Sequence, residues 1–412
     1  MNRDSLRILV SAAEASSDAH GAELLKALGR LSDRRIEAFG IGGPKLQASG
    51  FRTVVDAREL LVMGFSEIIS RLPKALSALR RISDEVLRVR PDVAVLIDYP
   101  EFHLRLAKIL RRRGIPTVCY IPPKLWVWRS GRLSKLRALY SKVLCVFPFE
   151  KEFYEKRNFN TVYVGNPLLD ELPLGLTREQ ARSRLSLDAS DKVLVLMPGS
   201  RPAEIKRHLP VMLDAAMTAS KKLKAMGALG VTEKLYILVP LSMVSDSGPV
   251  SGMIDRLLSE NVDLSVKVGL GNAHESLVAA DAGIIKSGTS TLEAALLGCP
   301  HILVYKISLV SEWIVRNIVK YDGPVGLVNL LSGGGKRGGP NLVKELLCAD
   351  ASSENISAEI VSLFTDQAYK TRLTEGFKNL HQSLMAPGDR RSPSEFAACE
   401  VLSAAAGMDG YI

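Results

Sequence analysis

The sequence predicts an α/β protein made of two Rossmann-like, doubly wound domains facing one another across a cleft. Three observations predict it. Short apolar runs recur along the chain with amphipathic stretches between them, the pattern of buried parallel strands covered by helices on both faces. The length of 412 residues is enough for two hydrophobic cores. A polar, charge-rich stretch at 170–191 lacks a strand signal and falls near the middle, where it marks the joint between the halves.

In chain order, strands are expected at 8–10, 93–97, 117–121 and 143–147 in the first half, and at 193–197, 235–239, 283–285 and 302–305 in the second. Helices are expected at 73–90, with Leu76, Leu79, Ile82 and Val86 spaced along one face, and at 203–220, with Leu209, Met212, Leu213 and Met217. The domains follow as 1–175 and 176–365, with a helical segment at 366–412. Residues 332–340, Ser-Gly-Gly-Gly-Lys-Arg-Gly-Gly-Pro, read as a loop.

Composition narrows the classes. With 47% hydrophobic and 24% charged residues the chain is neither disordered nor fibrous, and no apolar run reaches the roughly 18 residues that span a bilayer. Neither a signal peptide nor a transmembrane helix is read. The five cysteines are widely spaced and form no C-x-x-C, so neither a disulfide framework nor a zinc site is expected, and a cytoplasmic setting is. The net charge of +10 is concentrated. Residues 103–148 hold eleven cations and no Asp or Glu, which leaves 43 basic against 44 acidic residues in the rest of the chain. Such a field attracts phosphorylated ligands or an anionic membrane surface. Nucleic acid is not expected, because Trp126 and Trp128 are the only tryptophans interleaved there and no nucleic-acid-binding signature accompanies them.

In open α/β sheets ligands bind beyond the carboxyl ends of the strands, so the residues just after each apolar run are where chemistry is sought. After the run at 93–97 stands Asp98, with His103 nearby as a partner; it is either a general base or a helix cap. After 193–197 comes Pro198-Gly199-Ser200-Arg201-Pro202-Ala203-Glu204, a glycine turn opening into a helix, whose free N–H groups and arginine suit a phosphate unless it is an ordinary turn. It lacks the second glycine and the ending of a Walker loop. After 283–285 comes Lys286-Ser287-Gly288-Thr289-Ser290-Thr291-Leu292-Glu293, where Ser287, Thr289 and Ser290 could bond an anion and Glu293 the two hydroxyls of a ribose. The two turns together point to one nucleotide diphosphate. There is no G-x-S-x-G and no paired histidine spacing, so a hydrolase triad is unsupported and no metal or other cofactor is expected.

With these residues in view, the chain resembles the lipid-A-disaccharide synthase family, glycosyltransferases of the two-Rossmann-domain (GT-B) class. The resemblance runs in order from Ile8 to Gln382. It includes Glu14-Ala15-Ser16-Ser17-Asp18, Gly40-Ile41-Gly42-Gly43-Pro44, Val62-Met63-Gly64-Phe65, Asp98-Tyr99-Pro100, Trp126-Val127-Trp128-Arg129, Val164-Gly165-Asn166-Pro167, Gly199-Ser200-Arg201 with Glu204, Ser287-Gly288-Thr289 with Glu293, and Leu327-Val328-Asn329. It implies transfer of 2,3-diacylglucosamine, with inversion, from UDP to the 6-hydroxyl of 2,3-diacylglucosamine 1-phosphate. The products are the β-1,6-linked lipid A disaccharide 1-phosphate and UDP. It also implies Asp98 as general base, and Gly199, Ser200, Arg201, Glu204, Ser287, Gly288, Thr289, Glu293 and Asn329 as the UDP-sugar site. Glu14, Ser16, Asp18, Trp126, Trp128 and Arg129 would lie at the acceptor crevice. Peripheral attachment to the inner leaflet of the cytoplasmic membrane is implied, as is a homodimer in which C-terminal segments cross over.

The chain departs from the family pattern at several places. Ala13 and Ser17 stand where glycines are usual, the latter with strain expected if its φ is positive. His103 stands for asparagine, Lys124 for serine, Asn166 for histidine, Val328 for proline and Cys348 for glutamine. Two other readings stay open: a non-catalytic paralogue that binds UDP-sugar or a lipid precursor, and a UDP-N-acetylglucosamine 2-epimerase. The latter explains the second-half turns but not the tryptophan-containing basic stretch.

Overall fold

The computed structural model describes residues 4–60, 72–123, 137–241, 250, 252, 254, 264–306, 323–333, 341–386, 388 and 391–407. The chain divides into two compact units, Met1–Glu171 with Ser383–Ile412, and Leu172–Gln382. The crossing between them thus falls just before the expected 175/176 boundary, and the last segment is split between the two.

In the first unit seven parallel strands, β1 (Ser5–Ala12), β2 (Arg35–Gly42), β3 (Arg52–Asp56), β4 (Val93–Ile97), β5 (Thr117–Tyr120), β6 (Lys142–Cys145) and β7 (Thr161–Tyr163), lie in the order β3-β2-β1-β4-β5-β6-β7. The order reverses between β1 and β4, the switch point of a doubly wound sheet. Alternation along β4 assigns the two faces. Leu96 joins the cluster that α3 (Leu72–Val89) and α4 (Pro100–Arg112) close with Ala78, Ile82, Val86, Leu106 and Leu110. Ile97 points the other way, to Gly21 of α1 (Ala15–Leu31). Leu76, expected on the buried face of α3, is 48% exposed. The same turn packs on the core through Ala75, Ala78 and Leu79, and Leu76 falls to the side of that stripe.

The glycine run of the first unit is a packing device. Asp18, in α1, accepts hydrogen bonds from the N–H groups of Gly43 (2.7 Å), Lys45 (2.9 Å) and Leu46 (3.3 Å), which begin α2 (Pro44–Ala48). A Cβ on Gly43 would sit 2.8 Å from that carboxylate, and one on Gly40, whose φ is +141°, 2.1 Å from the Val10 carbonyl. Neither Ala13 nor Ser17 has a positive φ, so the expected strain is absent. Ser17 instead accepts from the Glu14 N–H and donates to the Glu14 carbonyl, each at 2.9 Å, closing the start of α1.

After α5 (Pro148–Glu155) and α6 (Leu168–Glu171), the second unit repeats the plan with β8 (Lys192–Met197), β9 (Leu235–Leu241), β10 (Leu264–Leu270), β11 (Ala282–Lys286), β12 (His301–Tyr305) and β13 (Glu345–Leu347), all parallel, in the order β10-β9-β8-β11-β12-β13. Its helices are α7 (Arg178–Arg184), α8 (Pro202–Ala225), α9 (Ala273–Ala279), α10 (Thr289–Leu296), α11 (Leu327–Leu331), α12 (Ser353–Thr365) and α13 (Gln367–Leu384). Residues from α7, α9 and α10 bury against Val193, Val195 and Ile285, while α8 and α12 pack together and against the sheet.

The chain returns to the first unit as α14 (Pro393–Ala405), which packs on α1 and against β4 and β5. Its start is capped reciprocally by Ser392 and Glu395. Gly165 and Asn166 meet this return: the Asn166 N–H donates to the Leu384 carbonyl at 2.8 Å, and Asp170 accepts from the Ser394 N–H at 2.7 Å. Among the described residues no helix is long and apolar enough to cross a membrane.

Candidate active site

In the second unit a cavity of ≈ 490 Å³ opens at the carboxyl ends of four neighbouring strands, with Met197 ending β8, Leu241 ending β9, Gly271 following β10 and Lys286 ending β11. It therefore straddles the β8/β11 switch point. Gly199, Ser200, Arg201, Glu204, Ser287, Gly288, Thr289 and Glu293 line it, so the structure brings the two turns expected from sequence to one place.

The first turn is shaped by Glu204. Pro202 occupies the first position of α8, where its missing N–H costs nothing. One Glu204 oxygen accepts from the Ser200 and Arg201 N–H groups at 3.1 and 3.4 Å, and the other from Lys286 Nζ at 2.9 Å. Burial favours the protonated carboxyl, but the hydrogen bond and charge of Lys286, with those two amides, outweigh it and hold Glu204 below the ordinary glutamate range. Gly199 has φ +124°, and a Cβ there would lie 2.5 Å from Glu204 Oε2, so only glycine lets the carboxylate fold back over the turn. Lys286 and Glu204 neutralise one another, so Arg201 and the starts of α8 and α10 form the positive side of a cavity whose remaining acidic lining group is Glu293. That polarity suits a diphosphate.

The opposite wall, Pro240, Leu241, Gly271, Ala273 and His274, is apolar or small except for the histidine, whose Nε2 is 3.8 Å from Glu293 Oε2. Pro240 and Leu241 follow the expected strand at 235–239, whereas Gly271, Ala273 and His274 follow β10, which no apolar run marks. Lys286 was readable as a strand end, but its partner lies 82 residues away.

Asn329 is placed otherwise than expected. It is fully buried; its Nδ2 donates to the Val343 carbonyl and Glu345 Oε1, and its Oδ1 accepts from the Val343 N–H, all at 2.8 Å. With its bonds spent on β13 it does not line the cavity, and it serves to fix α11. Asp18, expected at a crevice, is likewise buried on the α2 amides.

At the β1/β4 switch point of the first unit, Glu14 follows β1 and Asp98 follows β4, with Ala12 and Ile97 paired in register. Glu14 and Ser16 are exposed. Asp98 and Tyr99 both have φ +52°, two successive left-handed residues without glycine, each a cost of about 1–3 kcal/mol that surrounding bonds must offset. They do so at four points. The Asp98 N–H donates to the Tyr120 carbonyl at 3.1 Å, Asp98 Oδ1 accepts from the Tyr99 N–H at 2.9 Å, and the Tyr99 hydroxyl donates to the Leu60 carbonyl at 3.2 Å. His103 supplies the fourth. Expected beside the Asp98 carboxylate, it instead donates from Nδ1 to the Asp98 carbonyl, while Nε2 accepts from Ser11 Oγ at 2.8 Å. Full burial pushes its pKa down to about 4, so it is neutral, as this pattern of one donor and one acceptor requires. Burial, assisted by the Glu14 charge, raises the Tyr99 phenol. Trp126, Trp128, Arg129, Lys124, the Val62–Phe65 stretch and residues 334–340 lie outside the described residues. Of the eleven clustered cations, Lys142 is withdrawn from the basic field: it is buried and paired with Glu400 at 2.7 Å.

The same plan occurs in solved structures. The UDP-N-acetylglucosamine 2-epimerase from Neisseria meningitidis bound to UDP-GlcNAc aligns with a TM-score of 0.56 at 12% identity, covering 98% of this chain and 99% of that one. The fold is thus that of the two-Rossmann-domain (GT-B) class of glycosyltransferases and epimerases. A family model described as lipid-A-disaccharide synthetase matches residues 8–392. The lipid-A-disaccharide synthase of Anaeromyxobacter sp. (strain K) is 38% identical over 382 residues, 93% of this chain and 94% of that protein. The lipid-A-disaccharide synthase of Koribacter versatilis (strain Ellin345) is 35% identical over 406 residues, 98% of this chain and 100% of that protein. The chain belongs to the lipid-A-disaccharide synthase family.

Proposed function

We propose that this chain, a hexosyltransferase of lipid A biosynthesis by its family, moves 2,3-diacylglucosamine with inversion from UDP to the 6-hydroxyl of 2,3-diacylglucosamine 1-phosphate. The observation that supports the donor half is the cavity at the β8/β11 switch point, where two helix starts, Arg201 and a Glu204–Lys286 pair surround space for a nucleotide diphosphate. Arg201, the amides after Gly199 and Gly288, and the hydroxyls of Ser200, Ser287 and Thr289 stabilise the charge that develops on the departing UDP. Glu293 takes the ribose hydroxyls. Asp98, exposed enough to reach solvent and held in a strained turn, removes the acceptor proton. Asn329 acts by fixing α11 rather than by touching nucleotide. Family membership over nearly the whole chain disfavours the epimerase reading.

The acceptor phosphate and an anionic membrane surface meet the basic stretch, of which Arg105, Lys108, Arg111 and Arg112 project from the exposed side of α4. Sedimentation with anionic vesicles then falls as salt rises, while neutral vesicles leave the protein in solution. A homodimer belongs to the same proposal, and light scattering of the purified chain tests it. The deciding experiment incubates the purified protein with UDP-2,3-diacylglucosamine and 2,3-diacylglucosamine 1-phosphate. Equal amounts of disaccharide and UDP are expected. UDP without disaccharide assigns a different acceptor, and neither product, with UDP still bound, assigns the non-catalytic role.

A further inference from the structure

We propose that His208, which does not line the cavity, is a positioning residue for the donor site: its ring ties the first turn of α8 to the end of β12 and thereby holds Glu204 and Lys286 against the Gly199–Arg201 turn. The inference rests on the donor-site reading above. His208 is 1% exposed. Its Nδ1 donates to the Glu204 carbonyl at 2.8 Å, and its Nε2 accepts from the Lys306 N–H at 3.0 Å. Its ring stacks on Tyr305, with centroids 6.1 Å apart and planes 17° apart. The Tyr305 ring in turn carries Lys286 Nζ at 5.6 Å from its centroid, and that ammonium bonds Glu204 Oε1 at 2.9 Å.

The circuit closes. From His208 it runs through Glu204 to Lys286, through Tyr305 and back to His208, joining the ends of β8, β11 and β12, which are consecutive in the sheet. Glu204 spends its second oxygen on the amides of the phosphate-facing turn. Any slack in the circuit is therefore passed to the groups that would hold the diphosphate. An apolar side chain at 208 leaves the half-buried Lys306 N–H without its His208 acceptor and removes the plate under Tyr305.

One donor and one acceptor on the same ring require the neutral imidazole. Burial first of all, with Lys286 of β11 and Arg207 of α8 adding to it, lowers the His208 pKa against the opposing effect of the Glu204 carbonyl and charge. On the β12 side the ring meets the Lys306 amide and the Tyr305 face. Protonation would set two N–H groups against one another at Lys306, so the clamp opens in acid.

The test is calorimetric titration of UDP into the full-length protein and into His208→Leu and His208→Gln at pH 8 and pH 5.5, with kcat and donor KM measured in parallel. The expected result for His208→Leu is a UDP Kd and donor KM raised about tenfold or more, with a smaller fall in kcat at saturating donor, since the loosened amides also face the departing UDP. His208→Gln, whose amide carbonyl can still accept from Lys306, stays within a few-fold of the unmodified protein at pH 8. It also loses less affinity on going to pH 5.5; ionisation of UDP itself is common to both proteins and cancels in the ratio. Wild-type UDP affinity in His208→Leu, with only a lower Tm, overturns the positioning role. If His208→Leu does not fold, wild-type UDP affinity in Tyr305→Leu, which removes the ring between His208 and Lys286, overturns it. An unmodified protein that fails to bind UDP overturns the donor-site reading itself, and this inference with it.

Discussion

At the scale of single residues the two sites differ in how strain and charge are held. Asp98 owes its position to a left-handed pair fastened from four directions, and asparagine keeps an Oδ1 to accept from the Tyr99 N–H, so the exchange leaves the backbone in place. Asp98→Asn is expected to lower kcat by about 10² to 10⁴, with donor KM and Tm nearly unchanged; an unaltered kcat removes Asp98 from the base role. Arg201→Ala is expected to weaken UDP about tenfold or more, the scale of a lost charge-assisted hydrogen bond. Titration of UDP checks this, and full affinity would make the arginine a bystander. Gly199→Ala meets both a φ of +124° and the Glu204 carboxylate 2.5 Å from the new Cβ. It should lose about 1–3 kcal/mol of stability together with UDP affinity, read by urea unfolding and the same titration. Residue types were visible in the sequence at all three positions. Their partners were not: Lys286 for Glu204, and the Asp98 carbonyl for His103, depend on side chains and strand ends that the fold brings together.

At the scale of elements, the strands that the sequence displays are the continuous apolar runs; β2, although interior, opens with Arg35-Ile36-Glu37 and is not among them. β4, Val-Ala-Val-Leu-Ile, is buried throughout. The edge strands β3, β7, β10 and β13 are short or partly exposed, and β10 mixes Ser265 and Lys267 among its apolar residues, so no continuous apolar run marks it. That is why the part of the cavity wall that follows β10, Gly271, Ala273 and His274, is not legible in the sequence. α14 is a further case. Its seat on the first unit includes Lys142 of β6 and Glu400, 5% and 8% exposed and 2.7 Å apart. Glu400→Ala would leave a buried ammonium without a partner, a loss of about 3–5 kcal/mol. A large fall in the urea midpoint is expected, and a midpoint within error of the parent would show that Lys142 finds water or another anion instead.

At the scale of the whole molecule, each unit keeps buried neutral histidines: His103 in the first, His208 and His301 in the second. Burial pushes both His103 and His301 down to about 4 from 6.5. Below pH 6.5 the unfolded chain takes up protons that the folded chain refuses until about pH 4, so this contribution is intact above 6.5 and is lost as pH falls through the window. Full loss amounts to roughly 3 kcal/mol for each of the two. Urea midpoints should therefore drop between pH 7 and pH 5, above the range where most carboxylates titrate, and His103→Asn should flatten the slope. A midpoint independent of pH over that interval would mean that the rings are solvated.

The amino-acid sequence by itself determined the class of fold, the doubling of the domain, the family and the two turns that line the cavity, because each is written in local order: a buried strand, then glycine and hydroxyl residues, then a helix start. Only the tertiary structure decided that Asp18 and Asn329 are spent on buried hydrogen bonds, that Lys142 is withdrawn from the basic field, and that His103 and His208 are buried rings with one donor and one acceptor bond each. The physical reason is common to all five. A polar side chain acts according to whether it is buried and what it meets there, and both depend on how the elements pack around it, not on the local order of residue types.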